Sequence, residues 1–464
     1  MQHHTRPPHY RRELDGLRGI AILGVIGHHV AGGHVPGGYL GVDIFFVLSG
    51  YLITRMIWRR RRAGDFRLSA FVARRVRRLF PAYVTTILLV LVGAATLLPV
   101  HRMNDLGRSA LLALLHLYNF HPPGRGGYFA AQAESYPLLH LWSLNVEEQI
   151  YVFWALVLGI VLPRTAPVLR WIAGIAAISL ALATLYAAVP ELRNWAFYRP
   201  EARLFEFCAG AALAIRELRR GELDLERREE RPSTTLAHLV YASGLGVIVA
   251  AFLSRPLLPA PFHVLPACAG AALLIAWRPA GPWRRLVEAR PLVGLGRISY
   301  SLYLVHWPLL VLYDDHSREP LTAGERWGLV VASVGASWLL WALVERRFRV
   351  VPGRTNLPDW TVARFAVALL AVAVTAAVAA SLEPAESPRI RPPKGMVAAS
   401  VEHTARPDPE VCTDRELVFG CTLNAEKRGR YDVLFIGDSL AAQLWPLASS
   451  LAEQGLKVRL FFEF

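Results

Sequence analysis

The sequence predicts an all-α polytopic membrane bundle, about ten core helices plus one extra helix, followed by the start of a C-terminal α/β module. Three observations carry this. Of 464 residues, 54% are hydrophobic, above the roughly 45–50% of ordinary globular chains, and mean hydropathy is +0.32, which excludes a disordered chain. About eleven apolar runs approach the roughly 20 residues that cross a bilayer core. The basic residues, 51 Lys and Arg against 36 Asp and Glu for a net charge of +15, lie between those runs, as in Trp58-Arg59-Arg60-Arg61-Arg62 and Arg74-Arg75-Val76-Arg77-Arg78. Charge so placed argues for membrane loops and against a nucleic-acid partner.

The runs fall at 17–34, 39–57, 80–100, 138–162, 168–189, 202–216, 236–254, 262–277, 292–313, 326–344 and 363–381. A further run at 109–119 is too short to cross. Loops rich in Arg (the N-terminus, 58–79, 163–170, 216–235, 278–290 and 345–364) alternate with loops poor in it. By the positive-inside rule the first set is cytoplasmic, and an odd number of spans then places everything after residue 382 outside. No small-residue cleavage site follows the first run, so that helix is expected to stay as an anchor.

Residues 382–430 read as a Pro-rich exported linker. Cys208 and Cys268 sit in apolar runs and read as small core residues, whereas Cys412 and Cys421 lie nine apart in a polar stretch and are a disulfide candidate if that stretch is exported. No paired CxxC is present, so no metal is implied. Residues 431–464 read as strand, turn, helix, strand, with Val433-Leu434-Phe435-Ile436-Gly437-Asp438-Ser439 as the first strand and turn. The chain ends while a strand is still reading, and the expectation is the opening fragment of a longer domain.

Four polar groups interrupt the apolar pattern. In Glu13-Leu14-Asp15-Gly16-Leu17-Arg18-Gly19, leading to His28-His29, Arg18 and His29 are three helical turns apart, about 16 Å along one face. Arg18 as a snorkelling flank and the histidines as interfacial residues is the structural alternative. Against it, an intramembrane ionisable residue is a functional candidate, and a neutral imidazole is a candidate general base. The second group joins Gly41-Val42-Asp43-Ile44-Phe45-Phe46-Val47-Leu48-Ser49-Gly50-Tyr51, whose small residues suit close helix packing, to Arg75 and Arg78. At i and i+3 these arginines share a face and suit phosphate oxygens, though topology alone also accounts for them. The third, Trp142-Ser143-Leu144-Asn145-Val146-Glu147-Glu148-Gln149, places two acids where lipid excludes them. Neighbours on a helix differ by about 100°, so Glu147 and Glu148 are not expected on one face. The fourth sets Ser299, Tyr303 and His306 on one stripe at i, i+4 and i+7, a pattern of helix packing or of a site.

In this order and spacing, segments 14–19, 41–51, 74–81, 142–149 and 299–306 resemble the acyltransferase type 3 family of integral membrane proteins, over roughly residues 10–350. The resemblance implies an O-acyltransferase of a bacterial inner membrane that moves an acyl group, expected to be acetyl, from cytoplasmic acetyl-CoA to a hydroxyl of a cell-surface or exported carbohydrate, with no tightly bound cofactor. It implies that Arg18 and His29 serve activity, His29 as base or transient acyl acceptor, and that Arg75 and Arg78 bind the donor. Asp15, Asp43, Glu147, Glu148, Tyr303 and His306 are further candidates. The helix at 363–381 and the tail resemble the subgroup fused to an SGNH hydrolase-like domain, which makes Ser439 its candidate nucleophile, inert here because the later blocks have no room before Phe464. Two rivals fit the same topology: a transporter or flippase of a glycan or acyl-linked solute, and a receptor with an exported binding module.

Overall fold

The computed structural model describes residues 10–98, 100–121, 135–163, 166–223, 234–255, 258–277, 281–317, 321–348 and 359–382, and three strands at 420–423, 433–437 and 458–462. The chain divides into two units, residues 1–386 and 387–464. Among the described residues the first unit is helical: α1 (Arg12–Ala31), α2 (Gly41–Arg62), α3 (Leu68–Leu97), α4 (Val100–Leu114), α5 (Leu141–Leu156), α6 (Val168–Ala188), α7 (Arg193–Tyr198), α8 (Pro200–Leu223), α9 (Thr234–Leu253), α10 (Leu265–Ala276), α11 (Gly281–Val287), α12 (Arg290–His316), α13 (Ala323–Leu340), α14 (Arg346–Phe348) and α15 (Asp359–Leu382). Wider π turns at Val157–Val161 and Trp341–Glu345 extend α5 and α13.

Seven of these elements, on α2, α3, α5, α6, α9, α13 and α15, are long and apolar enough to cross a membrane, and α10 with α11, bent by 114°, makes an eighth if taken as one span. The remaining predicted runs, on α1, α8 and α12, form helices of 20, 24 and 27 residues. Their apolar character is diluted by Asp15, Arg18, His28 and His29 on α1, by Arg203 and Glu206 on α8, and by Arg297 and His306 on α12. The fold hides these polar helices inside. The apolar stretches of α6, α9, α13 and α15 are only 22% buried, as expected of lipid-facing helices, against 67% for α2.

Two crossings hold the inner helices. α1 packs on α12 and α2 on α8, and in both the backbones touch through glycine. A Cβ on Gly296 would stand 1.8 Å from the Asp15 carbonyl oxygen, one on Gly50 1.9 Å from that of Phe207, and one on Gly210 1.9 Å from that of Val47. Without a hydrophobic force between helices in lipid, close backbone contact supplies the van der Waals attraction. Arg61 ties α2 to α5 as well, its guanidinium donating to the carbonyls of Leu158 and Leu162 at the π turn.

Of the short run at 109–119, residues 109–114 form the end of a helix that is not among the described helices long and apolar enough to cross. α4 spans Val100–Leu114 and packs against α15 and α3, with the Asn104 amide donating to the Ser381 carbonyl at 2.9 Å. Its first turns carry Arg102, Asn104, Asp105 and Arg108, so the helix is longer than its apolar run.

In the second unit, β1 (Gly420–Leu423), β2 (Val433–Gly437) and β3 (Val458–Phe462) form a sheet of order β1-β3-β2. β2 and β3 are parallel and β1 is antiparallel to β3. Parallel neighbours need a crossover, the arrangement that strand, turn, helix, strand produces. Ser439 and Cys412 lie outside the described residues.

Gly50→Leu should loosen the α2–α8 crossing: the new side chain meets backbone, and about 3 kcal/mol of stability should be lost, read as a lower midpoint of thermal unfolding in detergent.

Candidate active site

A cavity of about 460 Å³ opens among α1, α2, α3, α5 and α12. That volume is typical of a small-molecule site. Its wall is cationic at one end, where Arg11 and Arg18 of the first helix region meet Arg55 of α2 and Arg75 and Arg78 of α3. The i, i+3 spacing aims both α3 arginines inward. Several of these cations are braced rather than loose. Arg11 donates to Tyr51 Oη at 2.6 Å, to Glu13 at 2.7 Å and to the Ile275 carbonyl at 2.9 Å. Arg75 contacts Glu148 at 3.4 Å, and its guanidinium carbon stands 3.7 Å from the Tyr151 ring centroid. Arg75 Nε and Ser299 Oγ are buried without a hydrogen-bond partner among the described residues, and both residues line the cavity.

Both acids of α5 line it as well, which corrects the expectation that only one would. Glu147 accepts from the hydroxyls of Ser49 and Tyr151 on one flank, and Glu148 meets Arg75 on the other. Side chains 100° apart share a wall when the cavity is wide enough to wrap the helix. Neighbouring amides lock α5 from behind: Asn145 donates to Tyr83 Oη at 3.1 Å, and Gln149 to Asn119 Oδ1 at 2.8 Å.

The far end is closed by Ser143 and Tyr303, whose hydroxyls lie 2.7 Å apart, with Tyr303 Oη donating to the His140 carbonyl at 2.9 Å. Behind them stand three imidazoles. The His306 ring centroid lies 5.5 Å from that of Tyr303 and 5.8 Å from that of His140, and His306 Nε2 meets His29 Nδ1 at 3.2 Å. Trp307 packs against His29 at 4.5 Å and is itself anchored by its indole N–H on the Tyr136 carbonyl at 2.9 Å. His29 therefore sits one side-chain layer beyond the cavity, while Arg18, three turns away on the same helix, lines it. His28 turns elsewhere, with Nδ1 on the Val35 carbonyl at 3.2 Å.

Of the other candidates, Asp15 lines the cavity and accepts from the Tyr10 hydroxyl. Asp43 does not reach it. Its carboxylate is 1% exposed and pairs with Arg203, which also meets Glu206, 0% exposed, at 3.1 Å. Arg203 and Glu206 went unread in the sequence, although a charged pair at i, i+3 inside an apolar run was the available signal. The cluster ties α8 to α2 beside the glycine crossing. Among the described residues no group of three or more His, Cys, Asp and Glu side chains is arranged to hold a metal ion.

Fold and cavity together define a multi-pass membrane protein built around a polar interior site. A family model described as an acyltransferase domain matches residues 11–343; the chain belongs to that family and is a membrane O-acyltransferase. It is 33% identical over 346 residues to the "Putative membrane-bound transacylase BcsY" of Komagataeibacter xylinus, covering 73% of this chain and 83% of that protein. With the O-acetyltransferase OatA of Staphylococcus aureus it shares 29% identity over 317 residues, 67% of this chain and 52% of OatA. With the "Putative peptidoglycan O-acetyltransferase YrhL" of Bacillus subtilis it shares 32% over 328 residues, 67% of this chain and 50% of YrhL. The chain thus spans about half the length of the latter two. No solved structure matches it.

Arg203→Met should strand two buried carboxylates and cost about 3–5 kcal/mol, again as a fall in thermal midpoint. Adding Asp43→Leu and Glu206→Leu should restore most of it, since removing all three charges leaves nothing uncompensated.

Proposed function

We propose that the protein takes an acyl group, acetyl in the simplest case, from acyl-CoA entering at the arginine end of the cavity and delivers it to a carbohydrate hydroxyl at the histidine end. One observation carries this reading: a single cavity runs from Arg75 and Arg78 to a Ser143–Tyr303 wall that backs directly onto His306 and His29. Coenzyme A carries a pyrophosphate and a ribose phosphate, and guanidinium groups bind such oxygens in pairs. Arg75 and Arg78 hold the donor, Arg18 lines its path, and the unpartnered Ser299 hydroxyl offers the bound donor a hydrogen bond. His29 acts as the base that takes the acceptor hydroxyl's proton, or as the transient acyl acceptor, once the Ser143 and Tyr303 side chains move aside and the reacting atoms touch: the attacking atom bonds to the acyl carbon, the C–S bond breaks, and coenzyme A leaves as its thiol with the proton. Glu147 and Glu148 set the charge of the passage, and Glu148 keeps Arg75 pointed into it.

The direction of transfer follows from the arginine-rich loops, which the positive-inside rule assigns to the cytoplasm. The names of OatA and YrhL support acetyl as the group transferred, and that of YrhL supports an envelope carbohydrate as the acceptor. The rival reading, transport of an intact solute, is separated from transfer in reconstituted vesicles given labelled acetyl-CoA on the arginine side. Label on an external carbohydrate supports the enzyme, and net movement of unmodified solute defeats it.

His29→Ala should reduce transfer about 100-fold or more while the protein stays folded and inserted; glycan acylation at the parental rate would sink the assignment. Arg75→Ala and Arg78→Ala should each raise the half-saturating acetyl-CoA concentration roughly tenfold, the loss of one charge-assisted contact, measured in the same vesicles.

A further inference from the structure

We propose that His306 is the positioning residue for His29: it holds the His29 ring as the Nδ1–H tautomer and so places the ring's lone pair on Nε2. The inference rests on the role given to His29 above. Hydrogen bookkeeping leads to it in three steps.

His306 Nδ1 lies 3.0 Å from the carbonyl oxygen of Leu302, one turn earlier on α12. A carbonyl only accepts, so that nitrogen carries the hydrogen. A neutral imidazole has one N–H, which leaves His306 Nε2 as an acceptor. His29 Nδ1 stands 3.2 Å from it, with the two rings only 24° from parallel and their centroids 5.3 Å apart. That is the side-by-side placement of an in-plane N–H···N bond, and His29 must supply its hydrogen. The second nitrogen of His29, Nε2, then holds the lone pair.

The support behind this pair is rigid. His306 is 4% exposed on the long helix α12, and Trp307, the next residue, packs its ring on His29 while bonding to Tyr136. The arrangement does for His29 what a carboxylate does for the histidine of a hydrolytic triad: it selects the tautomer and fixes the ring's direction. His28 takes a different setting, with Nδ1 3.2 Å from the Val35 carbonyl oxygen and its ring 5.4 Å from that of Tyr39.

The test uses the full chain in vesicles with labelled acetyl-CoA, comparing His306→Leu, His306→Gln and His29→Ala, each checked for thermal stability. His306→Leu should lower kcat about 100-fold with the KM for acetyl-CoA within threefold of the parent. His306→Gln offers an amide oxygen to the same N–H and should recover at least tenfold of that loss. A His306→Leu enzyme with kcat within threefold of the parent, or a folded His306→Gln no better than His306→Leu, overturns the proposal. If His29→Ala is inactive while His306→Leu is active, only the positioning role falls; if His29→Ala is active, the reading of His29 falls and this one with it. ¹⁵N-histidine NMR of the unaltered protein, assigned by the signals lost in His29→Gln, gives an independent answer should His306→Leu not fold. Protonated Nδ1 and unprotonated Nε2 are expected, and the reverse pattern overturns the proposal.

Discussion

A charged side chain inside hydrocarbon must be covered by protein or neutralised, and the architecture follows from that requirement. Arg203 cannot face lipid, so α8 turns inward against α2, where Asp43 and Glu206 meet the guanidinium at 4%, 1% and 0% exposure. The same demand brings α1 and α12 together, since Asp15 and Arg18 on one and His306 on the other all need cover. Once the polar helices occupy the middle, apolar α6, α9, α13 and α15 take the perimeter. Glycine at the crossings lets the covered helices approach until backbones touch, which leaves no room for lipid to reach the charges.

The cavity is what remains when such helices cannot close completely. Bulky, mutually braced groups on its wall, among them Arg75 over Tyr151 and Glu147 under two hydroxyls, hold it open with directed contacts. At one end the wall offers the guanidinium groups of Arg75 and Arg78. At the other it offers hydroxyls backed by the imidazoles of His306 and His29. These two ends fit the two halves of an acyl transfer, and α1 joins them: it carries both Arg18 and His29, while His306 and Trp307 of α12 brace the His29 ring.

Much of this was legible in the sequence. Each apolar run became a helix, because burial in lipid leaves the backbone no other way to satisfy its hydrogen bonds. The placement of Arg18, Arg75, Arg78 and Tyr303 toward one interior followed from helical spacing, a local property. What escaped was either long-range or masked by polarity. The Arg203–Asp43 pair joins residues 160 positions apart, and no periodicity encodes which helix faces which. The first turns of α4 were masked because Arg102, Asp105 and Arg108 interrupt its hydropathy, although Arg102 in fact reaches Asp315 and the Ser135 carbonyl. Glu147 and Glu148 were set apart by an angle measured on an isolated helix, whereas the shape of the facing cavity decides what counts as one wall.

Tyr303 and Ser143 also act as a partition. Their hydroxyls lie 2.7 Å apart, and this single layer of hydrogen-bonded side chains stands between the cavity and the His306–His29 pair. A substitution that shrinks it, at Tyr303 above all, removes the layer between the cavity and the imidazoles, so the size of one phenol decides how far the arginine-lined space extends toward His306.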